Sequence, residues 1–111
     1  MPDPDIRLLY ITTPDLDAAS RIAKILVGQH LIACANILPM MQSVYRWQGA
    51  VHHADECVLL CKTRASQVAS VTALVEAEHP YEVPAIISLP IDGGLPTFLQ
   101  WVATESTPST P

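Results

Sequence analysis

The chain has 111 residues, of which 50% are hydrophobic and 15% charged, and it carries a net charge of −5 at pH 7. This length is that of one domain, and the high apolar content excludes intrinsic disorder, which requires low hydrophobicity and high charge. The excess of acidic residues argues against binding to nucleic acid or to anionic membranes, because both partners are themselves negatively charged.

The chain begins with a strand and a helix. Residues 6–12 are apolar and β-branched, which is typical of a central strand covered on both faces. Thr13 is the expected N-cap of the following helix, because Pro14 suits the first helical position. The apolar residues spaced three and four apart in this helix are expected to face the core: Ala19, Ile22, Ala23, Leu26 and Val27.

A long hairpin follows. Residues 31–38 form an extended apolar run, and Pro39 predicts a bulge or bend before the strand resumes at 43–47. Gln48-Gly49 is typical of a tight turn, since glycine readily adopts the positive φ that such turns require. The return arm is expected over residues 51–63.

The second half of the chain predicts a helix, a strand and a short helix. The helix spans 66–78, because Pro80 prevents it from continuing. Its buried side is expected to carry Val68, Val71 and Val75. Residues 85–89 form the next strand and residues 97–102 the last helix. The order βαββαβ predicts a ferredoxin-like α+β sandwich, with one sheet and two helices on one face.

The hairpin also predicts assembly. Each arm could run to about 50 Å, whereas a domain of this size has a radius of gyration near ~13 Å. The arms carry Val44, Tyr45, Trp47 and Val51, which are costly to leave in water, and their edges are unpaired. We therefore expect a closed homo-oligomer whose hairpins pair across subunits. The alternative is a hairpin that folds back over its own sheet at Pro39.

The domain limits and the compartment are predicted from the ends of the chain and from the cysteines. We expect a flexible N-terminus over 1–5, a single folded domain over 6–104 and a disordered tail over 105–111. Because the N-terminus is acidic and no apolar run approaches the ~20 residues of a membrane helix, the cytoplasm is the expected location. Three cysteines cannot all pair within one chain, so we interpret them as thiols in a reducing compartment: Cys34, Cys57 and Cys61.

Several segments together resemble the CutA family, which is named for tolerance to divalent cations. The resemblance is carried by TTPD at 12–15, LIACANI at 31–37, SVYRWQG at 43–49, Glu-x-x-Leu-x-x-Lys-Thr at 56–63, HPYEVP at 79–84, and Trp101. It implies a ferredoxin-like fold and a homotrimer similar in architecture to PII signalling proteins. It also implies a role in tolerance of copper or another divalent metal ion, with no organic cofactor evident.

His79, Glu78 and Cys34 are the candidate metal ligands. A neutral imidazole beside carboxylates suits a divalent ion, and a thiol suits a soft ion such as Cu(I). Some relatives bind copper through a Cys at the end of the first strand and a His-His pair before Pro-Tyr. Ile11 and Glu78 stand at two of those positions, so only His79 is retained. The alternatives are that His79 complements the helix dipole and that Cys34 is a small buried side chain.

A second set of residues is expected to line a cleft between subunits: Tyr45, Trp47, Glu56, Lys62 and Tyr81. The alternative for Glu56 and Lys62 is that they are solvated strand ends. The adjacent His52 and His53 point to opposite faces of a strand, and we interpret them as surface residues that bind metal only adventitiously.

We therefore predict a non-enzymatic trimer whose partners are itself and metal ions, with no nucleic acid and no membrane. A PII-like trimer that binds a small molecule in the cleft is the first alternative. An enzyme with Cys34 as nucleophile and His79 as base ranks lowest, because no third group that would orient the base is evident.

Overall fold

A computed structural model describes residues 4–108 of the chain. The four strands are β1 (Ile6–Thr13), β2 (Cys34–Trp47), β3 (Ala50–Arg64) and β4 (Ile86–Pro90). The three α-helices are α1 (Leu16–Gly28), α2 (Val68–Glu78) and α3 (Pro96–Glu105), and a single 3₁₀ turn (Ala65–Gln67) precedes α2. The strands form one sheet in the order β2-β3-β1-β4, and every neighbouring pair is antiparallel. The predicted ferredoxin-like α+β class is confirmed.

The main core lies between one face of the sheet and helices α1 and α2. β1 lies in the interior of the sheet, where Leu9 and Ile11 point toward these helices and are fully buried. Their register partners on β3, Cys61 and Leu59, are also fully buried. The helices contribute Ala19, Ile22, Ala23, Leu26, Val71 and Val75. The predicted apolar stripes are therefore confirmed, except that Val27 is 41% exposed and Val68 only partly buried.

The start of α1 differs from the prediction. Thr13 is the last residue of β1, where it pairs with Cys57, and its hydroxyl donates to the carbonyl oxygen of Asp15. Asp15 is the N-cap, because its Oδ1 accepts a hydrogen bond of 2.8 Å from the N–H of Ala18. Both residue types can cap a helix, and strand pairing decides between them by holding Thr13 in the sheet.

The β2–β3 hairpin is extended to its tip. Its register shifts between Leu38 and Met41, at the bulge that Pro39 predicts, and Met40 there has a φ of 62°. Gln48 and Gly49 both have positive φ and form the turn. The molecule is 50 Å long in its longest dimension, and strand pairing continues to Trp47 and Ala50, so the arm does not fold back over its own sheet.

The second face of the sheet is largely uncovered. α3 packs at one end of it, where Val102 and Ala103 bury Ile6. Beyond that end, Ile87 is 54% exposed and Leu89 44% exposed, and on the arm Tyr45 is 44% exposed on the same face. We call this surface the open face. Large apolar side chains exposed together on one face of a sheet are typical of an interaction surface.

The ends of the domain extend beyond the predicted limits. α3 includes Glu105, and Ser106 is fully buried with its hydroxyl donating to the carbonyl oxygen of Val102. Thr107 likewise donates to Ala103, so hydroxyl groups satisfy the last carbonyls of the helix. The rest of the predicted tail, 109–111, and residues 1–3 lie outside the described residues. None of the described helices is long and apolar enough to cross a bilayer.

We expect Asp15→Ala to lower the free energy of unfolding by about 1 kcal/mol, because it removes the side-chain cap of α1. Urea denaturation at one protein concentration measures this difference. Asp17→Ala is the matched control, since Asp17 is also exposed and acidic in the first turn but is not the cap residue. Equal losses in the two variants would contradict the assignment of the cap.

Candidate functional site

Four of the five predicted cleft residues are spread along the hairpin, and the fifth, Tyr81, lies in the loop after α2. Tyr45 and Trp47 lie at its tip, opposite His52 and Ala50. Glu56 and Lys62 are six positions apart on β3, which is about 20 Å along an extended strand. Among the five, the hydrogen bonds of the described residues join one pair, Glu56 and Tyr81.

Cys34 lies directly opposite Lys62 in the β2–β3 ladder. The ammonium group of Lys62 donates to the side-chain carbonyl of Asn36, two residues from Cys34 on the same side of β2. Burial raises the pKa of the neighbouring Cys61 thiol to about 12, so Cys61 is an unreactive core residue. Within one chain, a positive charge therefore faces the candidate thiol ligand.

His79 is buried and ends helix α2. Its Nε2 donates to the carbonyl oxygen of Thr12 at 2.7 Å, and its Nδ1 accepts a hydrogen bond of 3.1 Å from the N–H of Tyr81. Both ring nitrogens are thus engaged, and the Nε2–H tautomer is the one consistent with these contacts. The arrangement joins the end of β1 to the loop after α2, so within one chain His79 has a structural role, although through these contacts and not through the helix dipole.

Glu78 contacts a different part of the molecule from the residues that His79 contacts. Its carboxylate forms an ion pair of 3.1 Å with Arg21 on α1. Within residues 4–108, no three His, Cys, Asp or Glu side chains lie close enough together to hold one metal ion. The predicted ligands His79, Glu78 and Cys34 are therefore not assembled into a site by a single chain.

Tyr81 and Glu56 form a partly buried hydrogen-bonded pair. The Tyr81 hydroxyl donates to Glu56 Oε2 at 2.9 Å, and Glu56 is only 7% exposed. The ring of Tyr81 also packs against His79, with centroids 4.8 Å apart. Burial, and secondarily the hydrogen bond to the carboxylate, raise the pKa of Tyr81 above its ordinary value of 10.

A shallow cavity of about 290 Å³ lies beside Glu56, at the base of the hairpin. It is lined by Pro14, Asp15, Met40, Gln42, Asp55, Glu56 and Cys57, and we call it the acidic pocket. A larger cavity of about 540 Å³ between the 3₁₀ turn after β3 and helix α3 contains none of the residues predicted as a site. Of these two cavities of residues 4–108, the acidic pocket is the one lined by a predicted functional residue, Glu56.

The acidic pocket concentrates negative charge. Asp15 Oδ1 accepts from the Ala18 amide, Asp55 Oδ1 from the side-chain amide of Gln42, and Glu56 Oε2 from Tyr81. None of the three carboxylates has a cationic partner among the ion pairs of residues 4–108. Carboxylates held in this way attract cations, because no positive side chain offsets their charge.

Sequence reasoning identified Glu56 but missed Asp15 and Asp55. Asp15 reaches the pocket because β1 pairs with β3 up to Thr13 and Cys57. The available signals were the acidic residue at the start of the first helix and the adjacent carboxylates at 55 and 56. Neither signal shows that the two segments meet.

Tyr81→Phe is expected to remove the tyrosine that ionises last when the folded protein is titrated with alkali. The folded state favours the neutral phenol, so the stability that this group contributes is full below pH 10 and is lost as the pH rises further. The difference in ultraviolet absorbance between wild type and variant follows Tyr81 alone. Tyr45→Phe, which removes an exposed tyrosine at the tip, is the control, and ionisation of Tyr81 near pH 10 would contradict the prediction.

The chain is similar in sequence and in structure to proteins named CutA or CutA1. The family model "CutA1 divalent ion tolerance protein" matches residues 7–105. The Arabidopsis thaliana "Protein CutA, chloroplastic" is 41% identical over 99 residues, which cover 89% of this chain and 54% of that protein. The crystal structure of CutA1 from Oryza sativa superposes with a TM-score of 0.92 at 37% identity, covering 96% of this chain and 98% of that one.

A third match bears on the compartment. The periplasmic divalent cation tolerance protein CutA from Archaeoglobus fulgidus has a TM-score of 0.89 at 39% identity, covering 92% of this chain and 99% of that one. With one similar protein periplasmic and plant relatives chloroplastic, the predicted cytoplasmic location is wrong. The physical reason is that this fold occurs in several compartments, so its composition does not specify one.

The plant and animal relatives are longer proteins, of which the matched region spans 54–62%. The similarity nevertheless extends over nearly all of β1 to α3. This chain therefore belongs to the CutA1 family of divalent ion tolerance proteins.

Proposed function

We propose that this chain supports divalent-cation tolerance by binding the cations directly, without catalysing a reaction, as a homotrimer. Family membership supports the role in tolerance. The observation that supports direct binding is the negative charge of the acidic pocket, which Asp15, Asp55 and Glu56 line. Within residues 4–108 of one chain these three carboxylates do not lie close enough together to hold one ion, so water or a second chain would complete its coordination. Oxygen ligands of this kind suit divalent ions, and copper or another divalent metal is the proposed cargo.

The trimer is supported by the open face and by the extended hairpin. Apolar side chains such as Ile87 and Val44 are exposed in a single chain, and both β2 and β4 are edge strands of the sheet. Identical copies would cover these residues and pair the edges, and a closed ring leaves no edge free to aggregate. In that arrangement Tyr45, Trp47 and Lys62 would lie near the seams, as the predicted cleft requires.

His79, Glu78 and Cys34 remain predicted metal ligands. A metal ion at His79 would have to displace the hydrogen bond to Thr12 or the one from Tyr81, so we place the principal site at the acidic pocket. The same hydrogen bonds leave His79 without a free nitrogen to act as a base for Cys34. This supports a binding protein in preference to an enzyme.

Glu56→Gln is expected to weaken the binding of Cu²⁺ and Zn²⁺ by about tenfold or more, because it removes a buried carboxylate from the pocket. Glutamine still accepts the hydrogen bond from Tyr81, so the fold should be retained. Isothermal titration calorimetry measures both affinities. Glu76→Gln on the exposed side of α2 is the control for net charge, and equal binding by the two variants would remove the pocket from the proposal.

Sedimentation equilibrium at micromolar concentration is expected to give the mass of three chains. The physical reason is the cost of leaving the open face in water. A species with the mass of one chain, unchanged on concentration, would contradict the proposed trimer.

A further inference from the structure

Three polar side chains share one face of the hairpin, and two of them, Gln42 and Asp55, also line the acidic pocket. Gln42 on β2 lies directly opposite Asp55 on β3. His53 is also on β3, two positions before Asp55. Successive side chains of a strand alternate between faces, so His53 and Asp55 point the same way, about 6.6 Å apart along the backbone. All three are exposed to solvent.

One amide group joins the other two side chains. The Nε2 of Gln42 donates to Asp55 Oδ1 at 2.5 Å, and the Nε2 of His53 donates to Gln42 Oε1 at 2.5 Å. The imidazole nitrogen of His53 and the carboxylate oxygen of Asp55 are therefore both hydrogen-bonded to one amide group, whose own oxygen is a third possible ligand. His53 makes no other hydrogen bond among the described residues, so little holds its ring in the present tautomer.

We propose that His53, Asp55 and the Gln42 carbonyl oxygen form a site for a divalent transition-metal ion of the Zn²⁺ or Cu²⁺ type. This assignment rests on the proposed cation-binding function and names the ion class. Imidazole is a favoured ligand of zinc, copper and nickel, whereas magnesium and calcium prefer oxygen alone. With the ring proton on Nδ1, the Nε2 lone pair faces the ion, and water fills the remaining positions.

The surroundings favour a cation at this site. Asp55 also lines the acidic pocket together with Asp15, so the ion approaches a region of negative charge. Within residues 4–108, no three His, Cys, Asp or Glu side chains lie close enough together to hold a metal ion. The proposed site is consistent with this finding, because its third ligand is the amide oxygen of Gln42.

The neighbouring His52 provides a matched control. It points to the opposite face of β3, where its ring stacks on Tyr45 with centroids 5.6 Å apart and its Nε2 contacts the Trp47 carbonyl oxygen at 3.3 Å. The two histidines are adjacent in the sequence, and both are exposed to solvent. They differ in whether a carboxylate and an amide oxygen lie within reach.

The test is calorimetric titration of the full chain with Zn²⁺ and Cu²⁺. His53→Ala and Asp55→Asn should each weaken binding at this site by at least about tenfold, while His52→Ala leaves it unchanged. Gln42→Glu should tighten binding, because it replaces an amide oxygen with a carboxylate. All four positions are exposed, and thermal unfolding confirms that each variant is folded.

A second measurement identifies the ligand directly. Substoichiometric Cu²⁺ should broaden the imidazole NMR signals of His53 and leave those of His52 sharp. Equal effects of the two alanine variants, or equal broadening of the two rings, would overturn the His53 site while leaving cation binding at Glu56 intact. If the wild-type protein binds neither ion, the His53 site and the proposed function both fail.

Discussion

The bulge between Leu38 and Met41 is the constraint on which the site depends. β2 advances three residues there while β3 advances two, from Val58 to Glu56. Because side chains alternate along a strand, one inserted residue exchanges the faces of everything beyond it. Without the bulge, Gln42 would lie opposite Ala54 and point away from Asp55. The irregularity at Pro39 therefore sets which polar groups meet on the outer part of the hairpin.

The same hairpin links the local chemistry to the assembly. Its base carries the acidic pocket, and its arm carries apolar residues such as Val44 and Val51 that a single chain leaves in water. Burying the arm against identical copies would place the pocket near a boundary between subunits, where a second chain can add donors. Cation binding and trimer formation are thus proposed consequences of one structural element.

The order of elements could be predicted from the sequence because each strand and helix carries its own periodic pattern. The bulge was also predictable, since Pro39 cannot donate a ladder hydrogen bond. Positions that depend on tertiary contacts could not be predicted from the sequence. Thr13 pairs with Cys57 in the sheet, and Asp15 is therefore the N-cap of α1. Likewise, Asp15 and Asp55 are 40 residues apart, and only the sheet register brings them to one cavity. The hydrogen bonds that occupy His79 are equally invisible in sequence.

The position of the bound ion can be determined by soaking a crystal of the protein in Zn²⁺ and calculating an anomalous difference map. We expect a peak on the outer hairpin beside Asp55, repeated in each of three chains that cover one another's open faces. A map whose peak lies at His79 and Cys34, with no density beside Asp55, would contradict this expectation.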